Sequence, residues 1–182
     1  MAIRAAAAAD FPRIAAIYAF EVLNRTATFE LEPPLVDELK RRHAEIIRRN
    51  LPWVVAVADG TVVGFAYAGM FRTRPAYDFT VEDSIYIEPA WQRRGFGRAL
   101  LAHIIRASTA VGCRQMLALI GDSQNASSIG LHQAMGFTHA GVFRSVGCKF
   151  GRWLDVVMMQ LALGDGATTF PKSRADQPPP AL

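Results

Sequence analysis

The run Gln92-Arg93-Arg94-Gly95-Phe96-Gly97-Arg98 joins a β-type run ending Ile85-Tyr86-Ile87 to an apolar helical run. Two glycines let the main chain approach a ligand with no Cβ in the way. The helix that follows points its free N–H groups and positive dipole end at that ligand. Arg93, Arg94 and Arg98 add formal charge. Together these make an anion site, and a pyrophosphate suits it. The segment is not a P-loop, since no Gly-Lys-Ser/Thr follows, and the fingerprint Gly-x-Gly-x-x-Gly is incomplete. Taken as an isolated heptapeptide, it could equally be a glycine-rich turn with surface arginines.

The elements that must hold this turn are legible in the hydrophobic periodicity. Ala2 to Ala5 reads as a short strand. Asp10 is an N-cap, Pro12 sits in the first turn, and Ile14, Ile17, Tyr18 and Val22 repeat at helical spacing. Residues 26–34 end in Pro33-Pro34 and form a loop. A second helix follows with Leu35, Leu39, Ile46 and Ile47 inward. Its charges, Lys40-Arg41-Arg42 and Arg48-Arg49, read as a solvated face, because no aromatic side chains interleave with them for base stacking. Trp53 to Ala58, Asp59-Gly60 and Thr61 to Tyr67 make a hairpin. Val81 to Ile87 is the next strand, and a helix runs from Gly97 to Val111, closed by Gly112. A buried strand, Gln115 to Ile120, precedes a short helix from Ala126 to Met135, capped by Asn125 and ended by Gly136. Strands near Thr138 to Phe143 and Leu154 to Leu161 complete the chain. The order β, α, α, β, β, β, α, β, α, β, β suits a mixed sheet with helices on both faces.

Composition narrows the class. The 182 residues are 51% hydrophobic and 20% charged, enough for one domain with a real core. Twenty Lys+Arg against sixteen Asp+Glu leave +4, which favours neither nucleic acid nor any other anion. Two cysteines, Cys113 and Cys148, without a CxxC, exclude a disulfide scaffold and a Cys-based zinc site; no metal is implied. They suit a reducing compartment. No apolar run is long enough to span a membrane. Asp10, Pro12 and Arg13 interrupt the N-terminal alanines before a signal-peptide core forms, so a cytoplasmic protein is expected.

Gln92-x-x-Gly95-x-Gly97 between a strand and a helix resembles the acetyl-CoA motif of the GNAT N-acetyltransferase family. The likeness extends from Ile3 to about Leu163. It implies the α/β (α+β) GNAT fold, with a mixed, mostly antiparallel central sheet flanked by helices on both faces. Residues 1–163 are expected to form the single domain, and 164–182, rich in Gly, Pro and polar residues, a flexible tail. The resemblance also implies that the pantetheine arm of acetyl-CoA lies along Ile85, Tyr86 and Ile87, while the N–H groups of Arg93, Arg94, Gly95, Phe96, Gly97 and Arg98 hold the pyrophosphate. Asn125 to Phe137 looks like that family's later cofactor helix, in which Asn125 and Ser128 face the cofactor; Asn125 could also be a plain N-cap. His132 stands where many relatives carry a tyrosine acting as general acid. Thr26 to Glu30, Arg74 to Glu82 and Gly147 to Asp155 look like the phosphinothricin and methionine-sulfoximine N-acetyltransferases. These are typically homodimers that acetylate the α-amine of amino-acid analogues.

That chemistry assigns roles. A protonated α-amine must lose a proton before it attacks a thioester, and a nearby carboxylate can take it. Glu82 is the candidate base, on the strand that continues to Ile87, with Asp83 on the opposite face by alternation. A backbone N–H near Ile87 could stabilise charge on the thioester oxygen. His132 could protonate the departing thiolate, bind substrate or simply pack. Arg72 and Arg74 precede the Glu82 strand and could grip a substrate carboxylate. Phe29 and Glu30 are expected to form a lid or wall of the acceptor site and Tyr77 to bind substrate, and Lys149, in the loop between the last strands, is expected to reach a site across a dimer interface. The alternatives are acetylation of another amine, such as a drug, polyamine or protein N-terminus, a non-catalytic acyl-CoA-binding regulator, or a nucleic-acid binder.

Overall fold

The computed structural model describes residues 1–171. Seven strands and four helices appear in chain order: β1 (Ala2–Ala5), α1 (Phe11–Asn24), α2 (Val36–Arg48), β2 (Trp53–Ala58), β3 (Thr61–Met70), β4 (Thr80–Ile87), α3 (Phe96–Ala110), β5 (Gln115–Gly121), α4 (Ala126–Ala134), β6 (Thr138–Lys149) and β7 (Arg152–Ala162). The sheet order is β1-β2-β3-β4-β5-β7-β6. Every neighbouring pair is antiparallel except β4–β5. The expected mixed, mostly antiparallel sheet is present.

Strand alternation sends side chains into two cores. Trp53, Val55, Phe65 and Tyr86 face α1 and α2, where Phe11, Ile14, Ile17, Tyr18 and Val22 are buried. Val54, Ala66, Val81 and Met116 face α3 through Leu100, Leu101 and Ile104. The β2–β3 turn has both Asp59 (φ 49°) and Gly60 (φ 72°) in the left-handed region, the geometry whose twist matches a tight hairpin. Among the described residues, no helix is long and apolar enough to cross a membrane.

Several local expectations change. The Asp10 carboxylate does not cap α1. It turns back to accept from the Ala7 N–H (2.7 Å) and from both terminal nitrogens of Arg4 (2.6 and 2.8 Å), tying β1 to the turn before α1. Leu35 precedes the first turn of α2 and is 80% exposed; Ile47 is 43% exposed, so of the four expected residues Leu39 and Ile46 face inward, joined by Val36. The last two strands are longer than the periodicity suggests. They meet at a two-residue turn, Phe150 (φ 53°) and Gly151 (φ 72°), so Lys149 ends β6 rather than lying in a loop. At the start of the expected tail, Arg114 donates to Thr169 Oγ1 at 2.9 Å. The remainder of that tail, from residue 172, lies outside the described residues.

Candidate active site

β4 and β5 are parallel for three register pairs, Thr80–Gln115, Val81–Met116 and Glu82–Leu117, and pair no further. Both strands continue, β4 to Ile87 and β5 to Gly121. The gap between them is the floor of a cleft of about 1000 Å³. Its other walls come from the end of α1 and the loop behind it, the turn into α3, the first turns of α4, and Arg152 with Val156 of β7.

Glu82 stands at the last register pair, where the strands part, and lines the cleft. Burial, and then the charge of neighbouring Asp83, raise its carboxyl above the usual range; Arg72 opposes them. A carboxyl raised by burial is poised for proton transfer nearer neutral pH than an exposed one. Alternation points Asp83 to the other face, as expected, and its side chain meets His132 there.

The turn into α3 fits an anion. Gly95 adopts φ 86°, and a Cβ there would meet nothing within 4 Å, so that side is open. Gly97 backs onto α4: a Cβ on it would lie 3.2 Å from Leu131 Cδ2. The first main-chain bond of α3 runs from the Ala99 N–H to the Gly95 carbonyl (3.1 Å), which leaves the N–H groups of Phe96, Gly97 and Arg98 without helical partners. Gln92 Nε2 donates to the Ile87 carbonyl at 3.0 Å and fixes the turn against the end of β4. The Asn125 side chain accepts from the Ser128 N–H (3.2 Å), so it caps α4 while lining the cleft.

The structure brings most of the sequence-predicted site residues together. Phe29, Glu82, Ile85, Tyr86, Ile87, Arg93, Gly95, Gly97, Arg98, Asn125, Ser128 and His132 all line this cleft. Tyr86 does so from a ring buried in the α1-side core. Phe96 turns its ring into the α3-side core, edge-on to Trp91, so it offers the site only its main chain. Arg94 lies over the Trp91 ring, 4.9 Å from its centre, and is not part of the lining. Arg72, Arg74 and Tyr77 are exposed on the segment before β4 and lie off the lining too; Arg72 covers the Phe71 ring.

Lys149 departs from its expected reach across a dimer interface. Its buried Nζ donates to the Thr28 carbonyl of its own chain at 2.8 Å, so it supports the cleft loop from beneath. Glu30 likewise faces structure. It accepts from Tyr18 Oη (3.0 Å) and Arg42 Nη1 (2.6 Å). The Phe29 ring fills a slot between two strands: a Cβ on Gly147 would sit 2.2 Å from its Cε2, and one on Gly121 would sit 3.0 Å from its Cε1.

Two cations missed in the sequence do line the cleft. Arg25 follows the last turn of α1, near Glu21 (3.8 Å), and Arg152 opens β7, paired with Asp122 (2.7 Å). Arg152 is one residue past the Phe150-Gly151 turn, and recognising that turn as a tight hairpin would have flagged it.

Residues 3–158 match the family described as Acetyltransferase (GNAT) domain. The chain is 48% identical over 163 residues to phosphinothricin N-acetyltransferase of Alcaligenes faecalis, covering 90% of this chain and 83% of that one. It is 38% identical over 167 residues to the L-methionine sulfoximine/L-methionine sulfone acetyltransferase of Salmonella typhimurium, covering 92% and 97%. Among solved structures, a GNAT superfamily phosphinothricin acetyltransferase from Sinorhizobium meliloti in complex with AcCoA superimposes with a TM-score of 0.91 at 45% identity, covering 94% of this chain and 92% of that one. A splayed strand pair with a carboxylate at the fork, an open glycine turn feeding a helix, and these matches over nearly the whole domain agree: the chain belongs to the GNAT acetyltransferase family.

Proposed function

We propose that this protein transfers the acetyl group of acetyl-CoA to the α-amine of a small amino acid or analogue of the phosphinothricin, methionine sulfoximine or methionine sulfone type. The observation that carries the reading is Glu82 at the fork of β4 and β5, in the cleft and raised by burial. Bound acetyl-CoA supplies the activated thioester. The Gly95 to Arg98 main chain, with Arg93 and Arg98 beside it, offers the donors and charge that a pyrophosphate requires. Glu82 takes the proton from the incoming ammonium, which frees the amine to attack. Arg72, whose charge is felt at Glu82, is the first choice for the substrate carboxylate, and Arg25 and Arg152 are the cations on the other walls.

A homodimer fits the β6–β7 hairpin, where Phe143 and Trp153 are 50% and 68% exposed. The reducing setting expected from the cysteines and the cytoplasmic one expected from the N-terminal residues suit the same reading, with neither Cys113 nor Cys148 in a disulfide.

The test is release of free thiol from acetyl-CoA with a panel of amino acids, methionine sulfoximine, methionine sulfone and phosphinothricin. Each accepted acid is paired with its amide. Turnover on the acids and little on the amides is expected. Equal turnover on both would replace this reading with a general amine acetyltransferase.

A further inference from the structure

His132 carries both ring nitrogens into bonds that close on the protein itself. Nδ1 lies 2.7 Å from the Ser128 carbonyl, and Nε2 lies 3.0 Å from Asp83 Oδ2. A carbonyl only accepts, so Nδ1 carries a hydrogen; a carboxylate accepts as well, so Nε2 carries the second. The two side chains are almost fully buried, 4% and 3% exposed, and 49 residues apart in sequence. The ring is edge-on to Phe137 at 5.0 Å. It sits in the last turn of α4, where the helix dipole favours a cation.

Asp83 faces the ring from β4, while Glu82 points to the opposite face of that strand. Arg98 in the first turn of α3 shares the cleft wall. Burial would push the ring below its ordinary value, but Asp83 and the Ser128 carbonyl outweigh burial and hold it above.

We propose that Asp83 and His132 form a closed carboxylate–imidazolium latch that fixes α4 to β4 across the cleft, and that His132 is a positioning residue rather than the proton donor to the departing thiolate. The latch joins the strand that carries Glu82 to the helix that carries Asn125 and Ser128. It therefore sets the distance between the two sides on which acetyl-CoA would rest. The inference builds on the acetyl-transfer reading for its role, but the protonation state it assigns stands without it.

The test uses the full chain, with nitrogen-15 label in histidine. In the wild type, both His132 ring nitrogens should stay protonated at pH 7 and above. In Asp83→Asn, the titration midpoint should fall by about one pH unit or more, since burial is then unopposed. A neutral ring at pH 7 in the wild type, or the same midpoint in both proteins, would overturn the latch. A second measurement compares pH profiles of turnover. In His132→Gln, whose amide NH2 can still donate to Asp83, turnover should fall less than in His132→Leu, and the alkaline limb should persist. Disappearance of that limb in both variants would make His132 the proton donor and end the proposal. If no acceptor is acetylated by the wild type at any pH, the acetyl-transfer reading falls, while the nitrogen titration still decides the latch.

Discussion

Lys149 Nζ donates to the Thr28 carbonyl at 2.8 Å, and this bond joins the end of β6 to the loop behind α1 across 121 residues of sequence. Burial lowers the Lys149 amine, while Glu21 and Glu30 oppose that shift. Thr28 also meets Tyr18 Oη through its side chain at 2.9 Å. The loop is thus held from both sides, and its inner residues form one wall of the cleft.

Lys149→Met should leave the Thr28 carbonyl buried without a donor, a cost of about 1–3 kcal/mol. Thermal or urea unfolding measures that loss. The KM for the amino-acid acceptor should rise, while acetyl-CoA affinity should stay near wild type. An unchanged acceptor KM would show that the loop keeps its shape without the tether.

Gly147→Ala should displace Phe29, because the new Cβ would sit 2.2 Å from the ring. The ring must leave its slot or β6 must bulge. Overpacking of this kind costs about 1–3 kcal/mol. The expected signature is a lower Tm with a shift in preference among acceptors of different side-chain length. Phe29→Leu in the same background should recover part of the lost stability.

Glu82→Gln should lower turnover by about 10²-fold or more, with cofactor affinity largely kept, as for loss of a general base. The base works only when ionised, so activity should fall as pH drops through the raised Glu82 value. Arg72 holds that value down, so Arg72→Ala should move the acidic limb to higher pH. A limb that stays in place would separate Arg72 from Glu82.

Gly95→Val should weaken acetyl-CoA binding by roughly tenfold or more. A β-branched residue at φ 86° is strained by about 1–2 kcal/mol, and its side chain would enter the open face of the turn. Isothermal titration on the folded variant provides the check. Retained affinity would move the cofactor site away from this turn.

Asp10 is held below the usual carboxylate range, first by its Arg4 hydrogen bonds and also by the Ala7 N–H, against the effect of burial. A depressed carboxyl stabilises the fold above its unfolded value, near about 3.9, and loses that contribution as pH falls through the folded value. Asp10→Asn should therefore destabilise the protein at pH 7, and the difference from wild type should shrink as pH falls through the lowered Asp10 value, by urea unfolding.

Periodicity was sufficient for most elements. Ile14, Ile17, Tyr18 and Val22 are buried as their spacing requires, and Asp59-Gly60 forms the expected turn. The strand–turn–helix around Gly95 and Gly97 is also where local pattern puts it. What stayed hidden depended on partners far along the chain. Asp10 reads as an N-cap locally, but Arg4 captures its carboxylate. Lys149 lies on an edge strand whose exposed pattern gives no alternation to read, and its partner is on another element. Arg25 and Arg152 are unremarkable in isolation; only the closing of α1 and β7 around the fork makes them cleft residues. His132 carried a family expectation of proton transfer, and nothing local in its helix announces Asp83 as its partner.

Three register pairs are the whole of the strand pairing between β1–β4 and β5–β7–β6. Mechanically, the domain is two half-sheets joined at one end, like a clothes-peg, and the cleft is its open jaw. The helix α3 packs across the joint, its Leu100, Leu101 and Ile104 sharing one core with Val81 of β4 and Met116 of β5. A molecule lying in the fork and bonding to both strand edges would replace the hydrogen bonds missing there. It would serve as a structural member of the sheet as well as a reactant, and each turnover would remove and refit a piece of the scaffold.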